Sequence, residues 1–359
     1  MILTFVRIIF LYLSIMYEKP IISPEVTIRD VAEAAGVSIS LVSFVLNARR
    51  GPNGEYLCSA SQATAERIVE AAERLGYHRN KAASSLRSGR SDTIGVIVAD
   101  ISNTCFGLIC RKIEKLANES GYLTITASSD DRKENFRQLV DKFLYSGVDG
   151  FILAPCNGVE DSVSKILRRN IPVVLFDRDI PGFEGVGRVL MDNEKAGRSA
   201  VRILRKQGCR HICLVRYETD IPTLIARERS CRLEAEESGV VFNSFVVSRE
   251  TMRRDMVSVL HNAREEGMDG VILPSNTITV DGISAINELG FDIPGELAVV
   301  GFDQEDRSEI LNPYFSFVNQ PTKLVAEYSF RMLLDSIKGS GELGTMIINP
   351  LYTLGNGMK

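Results

Sequence analysis

Residues 26–47 read Val-Thr-Ile-Arg-Asp-Val-Ala-Glu-Ala-Ala-Gly-Val-Ser-Ile-Ser-Leu-Val-Ser-Phe-Val-Leu-Asn. This stretch predicts two short helices around a tight turn. Thr27 is an N-cap residue for the first, and Asp30, three residues on, favours the positive end of that helix. Val31, Ala32 and Ala35 fall on one face, at the spacing of a small core. Gly36 supplies the turn, and Ser38 is placed to cap the second helix. That helix turns Val42, Val45 and Leu46 inward and leaves Ile39, Ser40, Ser43 and Phe44 for other faces. Helix, Gly-containing turn, helix is the plan in which a second helix enters the major groove of DNA. Pattern alone fits an ordinary helical hairpin equally well.

The 359 residues suffice for two or three domains with sizeable cores. An apolar share of 45% and a charged share of 25% are those of a soluble globular chain. The net charge of −4 does not point to nucleic acid, but its distribution is uneven: residues 25–90 carry nine Lys/Arg against seven Asp/Glu, leaving an acidic remainder. The seven cysteines form no Cys-x-x-Cys pair, and with three histidines no metal site is expected. They read as reduced, mostly buried thiols of a cytosolic protein.

Residues 1–17 are strongly apolar, in the manner of a signal core or an anchor, but Arg7 interrupts them and no small-residue cleavage site follows. The favoured reading of residues 1–25 is a misplaced start, with translation beginning at Met16. Residues 48–58, with Gly51, Pro52 and Gly54, predict a loop in which Arg49 and Arg50 either touch phosphate or are simply solvated. A third helix follows Ser59 or Ser61, its stripe being Ala65, Ile68, Val69, Ala72 and Leu75, with Gly76 ending it. Residues 78–92 are polar and basic, with Leu86 the one prominent apolar residue.

From Thr93 the pattern becomes strand–helix alternation. Short apolar runs at 94–99, 123–127, 151–154, 173–176, 211–215, 271–273 and 297–301 predict parallel sheets covered by helices. Gly147-Val-Asp-Gly-Phe-Ile-Leu echoes Gly267-Met-Asp-Gly-Val-Ile-Leu, so two similar lobes are expected. Ligands of such sheets sit at the carboxyl ends of the strands. The polar residues there are Asp100, Asp177, Asn276 and Asp303, residue types that at such positions are more often turn formers than ligand contacts. No Gly-x-Ser-x-Gly elbow, phosphate loop or metal cluster argues for an enzyme.

Thr27-Ile-Arg-Asp-Val-Ala, Ala35-Gly-Val-Ser, Val42-Ser43 and Val45-Leu-Asn47 closely resemble the opening of the LacI/GalR (lactose repressor) family of bacterial transcriptional regulators. The resemblance continues through Ala71-Ala-Glu-Arg-Leu-Gly-Tyr77, Ser85-Leu-Arg87, Thr93-Ile-Gly-Val96, Val148-Asp-Gly150 and Val300-Gly-Phe-Asp303, and covers about residues 26–340. It implies a small all-α helix-turn-helix DNA-binding head over 26–78 and a hinge helix or linker over 79–92. It further implies an α/β two-lobed periplasmic-binding-protein type I (Rossmann-like) core over 93–340 for ligand binding and dimerisation. The expected chain crossings lie near 190–193, 316–321 and 340; 341–359 is set apart as a C-terminal segment, and no role falls to 347–359.

By that resemblance, DNA contacts fall to Thr27, Ser38, Ile39, Ser40, Ser43, Phe44, Asn47, Tyr77 and Asn80. Ser85, Leu86 and Arg87 join them, Leu86 as a minor-groove wedge. Phe44 stands where relatives often carry Arg or His. An aromatic ring there meets a thymine methyl but cannot pair with guanine, so an unusual half-site is expected. Ser84 replaces a common Arg of the hinge. In the cleft, Asp177, Arg227, Asn276, Asp303 and Gln320 match ligand-binding positions. Phe106 and Phe176 either stack on a ligand or belong to the core. Ser230, Cys231, Thr277 and the run Asn103-Thr-Cys-Phe106 depart from the family pattern. The polar set suits sugar hydroxyls, with a nucleobase as the lesser choice. The expected protein is a cytoplasmic, nucleoid-associated regulator without cofactor or membrane partner. It binds a pseudo-palindromic operator as a homodimer or a dimer of dimers. The alternative is an exported sugar-binding protein.

Overall fold

The computed structural model describes residues 26–46, 48–51, 55–77, 90–304 and 313–356. They divide into two units that meet between Gly89 and Arg90.

The first unit holds three helices, α1 (Ile28–Ala35), α2 (Ile39–Leu46) and α3 (Gln62–Leu75). Thr27 donates both its backbone N–H and its hydroxyl to Asp30 Oδ2, each at 2.7 Å. Those bonds, the backbone one foremost, hold the Asp30 carboxyl below the ordinary carboxylate range. Gly36 ends α1 in the left-handed region at φ 64°, where a Cβ would be strained. Ser38 Oγ then accepts from Leu41 N–H at 3.2 Å and starts α2. Val31, Ala35, Val42, Val45, Ala65 and Ile68 close one core, as the sequence predicts.

The connection between α2 and α3 is not a plain loop. Arg49–Arg50 (β1) and Tyr56–Leu57 (β2) pair antiparallel. Gln62 completes the ribbon, accepting from Tyr56 N–H at 2.9 Å and donating to Tyr56 O at 2.8 Å. Two-residue strands carry no alternation to read, and their partner is a side chain from the next helix.

The second unit contains two parallel α/β layers. Lobe one has strands β3 (Thr93–Val98), β4 (Leu123–Ser128), β5 (Gly150–Leu153), β6 (Val173–Phe176) and β7 (Gly187–Met191). Its helices are α4 (Thr104–Glu119), α5 (Lys133–Tyr145) and α6 (Glu160–Leu167). Lobe two has α7 (Asn193–Lys206), β8 (His211–Tyr217), α8 (Pro222–Ser238), β9 (Val241–Val247) and α9 (Met252–Glu265). It continues through β10 (Gly270–Leu273), α10 (Asn276–Leu289), β11 (Ala298–Phe302) and β12 (Ser316–Asn319). Both faces of each sheet are covered, which is why the strands read as unbroken apolar runs. Ile94, Val96, Ile152 and Val174 face one core cluster of lobe one, whereas Ile97, Phe151, Leu153 and Leu175 face the other.

The chain crosses between lobes after β7 and again after β12, where the family resemblance places the crossings. Helix α11 (Thr322–Lys338) packs back on lobe one. The third crossing lies not near 340 but between β13 (Thr345–Ile348) and β14 (Leu351–Thr353). The first pairs parallel with β7 and the second antiparallel with β12. The sheet orders are therefore β13-β7-β6-β5-β3-β4 and β14-β12-β11-β10-β8-β9. Residues 341–356 thus belong to the core, one edge strand in each lobe, against the expectation that they stand apart. Strands of three and four residues with one exposed side give the sequence little apolar signal.

Candidate functional site

On the head, α2 turns Ile39, Ser40 and Phe44 outward, with Ile39 43% and Phe44 49% exposed. Ser43 is half-buried beside them. The same helix spends Val42 and Val45 on the core. Thr27 and Ser38 act as caps in this structure, and Tyr77 is half-buried against the head's core. Asn47, Asn80, Ser85, Leu86, Arg87 and the apolar start lie outside the described residues.

In the second unit a cleft opens at the carboxyl ends of both sheets, with an empty volume of about 670 Å³ open to solvent. Phe106, Asp177, Arg227, Asn276, Asp303 and Gln320 all line it, as expected from the sequence. Phe176 does not. It is fully buried in lobe one and meets Phe106 edge-on at 6.1 Å between ring centroids. It is the last residue of β6 and packs in the core of lobe one, whereas Asp177 lies just past the strand end.

The two acids occupy equivalent places. Asp177 follows β6 and Asp303 follows β11, each preceded by a fully buried Phe. Both take left-handed backbone conformations, φ 63° and 59°, uncommon outside glycine and concentrated at functional sites. Each N–H is caught by the neighbouring strand, Asp177 by Val189 O at 3.2 Å and Asp303 by Val318 O at 3.1 Å. Gln320, on the crossing after β12, joins them. Its backbone N–H donates to Asp303 Oδ1 at 3.0 Å and its Nε2 to Asp177 Oδ1 at 3.1 Å. The Cys105 thiol donates to Gln320 Oε1 at 2.9 Å, which fixes the amide's orientation.

Arg227 is buried on α8. It donates to Asn193 Oδ1 at 2.8 Å, Pro274 O at 2.7 Å and Asp303 Oδ2 at 3.4 Å, and lies over the Phe302 ring at 4.6 Å. The sequence's Ser230, where relatives carry Gly, fits because Gly197 of α7 faces it. A Cβ on Gly197 would stand 2.2 Å from Ser230 Oγ and 2.4 Å from Arg227 O. Asn276 Nδ2 donates to Asp303 O at 2.8 Å, which holds the turn that presents the acid. Burial pushes the Asp177 carboxyl above the usual carboxylate range, with Arg178 and Arg227 pulling against it.

Three residues missed in the sequence complete the site. Arg178, buried next to Asp177, pairs with Asp131 through two bonds, while its Nε stays 3.6 Å from Asp177 Oδ2 and finds no hydrogen-bond partner among the described residues. Its position directly after the Asp was the available signal. Arg249, of lobe two, stacks on Tyr217 at 4.6 Å and reaches Asp131, of lobe one, at 3.6 Å. Asn157 Nδ2 donates across the same gap to Asp220 O at 3.0 Å. Arg249 follows β9, whose Asn243 and Ser244 hide the strand, and Tyr217 closes a strand that the sequence reading ends at Val215. The cleft thus offers carboxylate acceptors and guanidinium donors from both lobes around one space, the chemistry of polyhydroxyl recognition.

Residues 27–80 match the family model for bacterial regulatory proteins of the lacI family, and residues 94–341 match that for a periplasmic binding protein domain. Catabolite control protein A of Priestia megaterium is 29% identical over 312 residues, 86% of this chain and 91% of the relative. The lac repressor dimer, solved bound to operator and the anti-inducer ONPF, superposes with a TM-score of 0.77 at 20% identity, covering 91% of this chain and 97% of that one. A periplasmic binding protein/LacI regulator of Alkaliphilus metalliredigens, solved with D-xylulofuranose, gives 0.66 at 24% identity over 73% of this chain and 97% of that one.

Proposed function

Because the chain belongs to the LacI family of bacterial regulatory proteins, with a periplasmic-binding-protein core, we propose that it represses transcription from a pseudo-palindromic operator under the control of a saccharide. The observation that carries the effector half of this reading is Gln320. It ties Asp177 of one lobe and Asp303 of the other to the crossing between them. A ligand that hydrogen-bonds both acids has a stake in the lobe geometry and shifts the population competent for DNA. The relative solved with D-xylulofuranose supports a sugar in the place of a nucleobase. So does the polar lining, in which, among the described residues, only Phe106 and Tyr217 are aromatic.

The DNA half rests on α2. Ile39, Ser40, Ser43 and Phe44 read bases, Thr27, Ser38 and Tyr77 support the helix or touch phosphate, and Asn47, Asn80, Ser85, Leu86 and Arg87 extend the contact. Two heads of a homodimer take adjacent half-sites in the cytoplasm, on the nucleoid. The test is selection of random duplex DNA by the full chain, followed by sequencing. Enrichment of a pseudo-palindrome that differs from the family's usual half-site where Phe44 faces it is the expected outcome. Absence of any enriched sequence from folded protein, with and without cell extract, would overturn the proposal.

A further inference from the structure

The chain runs from α2, the helix assigned to the major groove, straight into the two-stranded ribbon. Arg49 stands three residues past Leu46, the last residue of α2, and the Ala48 N–H is still bonded to Val45 O at 3.0 Å. Eight residues at about 1.5 Å each make α2 roughly 12 Å long, about the width of the major groove. A chain that has run the length of such a helix in the groove comes out at its wall, and the wall is phosphate.

The ribbon has a fixed backbone and two distinct faces. Gly51 N–H donates to Glu55 O at 2.8 Å, Gln62 of α3 bonds both the N–H and the O of Tyr56, and Tyr56 packs against the head's core. Directly opposed residues of an antiparallel pair share one face. The register sets Arg50 opposite Tyr56, on the face turned to the core. It sets Arg49 opposite Leu57, on the face turned away, where Leu57 is 57% exposed. Residues 48–58 carry two arginines and one acid, Glu55, which lies at the loop end of the ribbon against Gly51. A backbone already ordered loses little freedom when it meets its partner.

We propose that the ribbon is a second DNA-contact element of the head, continuous with α2. Arg49 rests on a phosphate just outside the bases that α2 reads, with Leu57 beside it. The contact adds affinity and fixes the angle of the head but carries no sequence information. Of the two readings that the sequence leaves for Arg49, phosphate contact or plain solvation, the register supports the first. This inference rests on the DNA-binding reading of the head.

The test measures the affinity of the full chain for its selected operator across a salt series, for the wild type, Arg49→Gln, Arg49→Lys and Leu57→Lys. Each phosphate contact contributes about 0.9 to the slope of log affinity on log salt. Arg49→Gln should flatten the slope by about 1.8 for a dimer with both heads bound. The wild type then loses roughly tenfold more affinity than the variant between about 50 and 200 mM salt. Arg49→Lys should keep the wild-type slope, and both variants should select the wild-type sequence. Leu57→Lys adds a cation on the same exposed face and should steepen the slope, a gain that keeps the test decisive if Arg49→Gln does not fold. Slopes unchanged in both Arg49→Gln and Leu57→Lys would overturn the contact and leave the DNA-binding reading standing. So would an equal loss of affinity in Arg49→Gln and Arg49→Lys at the wild-type slope, the mark of a structural role. A folded wild-type chain that selects no sequence would overturn both.

Discussion

The two lobes present the same acid at the same strand and treat it differently. Asp303 is satisfied: Gln320 N–H holds one oxygen and Arg227 approaches the other. Asp177 has one firm partner, the Gln320 side chain, and an Arg178 Nε beyond hydrogen-bond reach. Pseudo-symmetric folding thus yields one acid that organises the site and one that retains acceptor capacity for a ligand. The supporting walls differ in the same sense. Lobe two braces its side with a buried guanidinium over Phe302, lobe one with a ring against Phe176.

The largest effect is expected on the organising side. Arg227→Met leaves Asp303 buried without its cation, and unmatched buried charge costs about 3–5 kcal/mol. Thermal unfolding should fall accordingly and effector binding should vanish. A variant of wild-type stability would mean that Asp303 does not depend on Arg227. Gly197→Ala comes next. The added methyl must push α8 from α7 against backbone, costing roughly 1–3 kcal/mol as overpacking does, and it displaces Arg227 with it. Chemical denaturation measures the first consequence and ligand calorimetry the second.

Asp177→Asn should behave in the opposite way. A carboxyl held above its unfolded-state pKa binds its proton more tightly in the native chain. Native stability therefore falls as pH rises from the ordinary Asp value, near about 4, towards the raised one. The amide removes that penalty. The variant should unfold at an equal or higher temperature at neutral pH while losing about ten- to a hundredfold in effector affinity, the value of a charge-assisted hydrogen bond. In the wild type, effector binding should weaken as pH is lowered through the raised value, because a protonated acid offers a donor where the ligand needs an acceptor. Flat affinity across that range would place Asp177 outside the contact. The smallest effect belongs to Cys105→Ser, which keeps a donor to Gln320 Oε1 and should shift affinity by about twofold at most, whereas Cys105→Ala frees the amide to turn and costs more.

How far the sequence could be read follows the same division. The head was legible because Thr27, Gly36, Ser38 and Ser61 are local signals, each acting within four residues of itself. The buried strands were legible as apolar runs. What escaped depends on partners distant in the chain. Strands β13 and β14 exist because they complete two sheet edges, β1 and β2 because Gln62 closes them, and Arg249 matters because β9 carries it to Asp131. Five of the cleft's polar residues were named from the family resemblance. The strand-end pattern alone offered Asp100, Asp177, Asn276 and Asp303 and could not separate ligand from turn. For Phe176 the sequence left stacking and core both open, and its full burial against Phe106 selects the core.

The most direct test of the account titrates sugar against operator occupancy for the wild-type chain and for Asp177→Asn, both on the DNA sequence that selection yields. If the acids of both lobes hold one ligand that governs DNA binding, the wild-type occupancy shifts with sugar. The variant's midpoint then moves to at least about tenfold higher concentration at unchanged affinity for DNA alone. Coincident midpoints would contradict it.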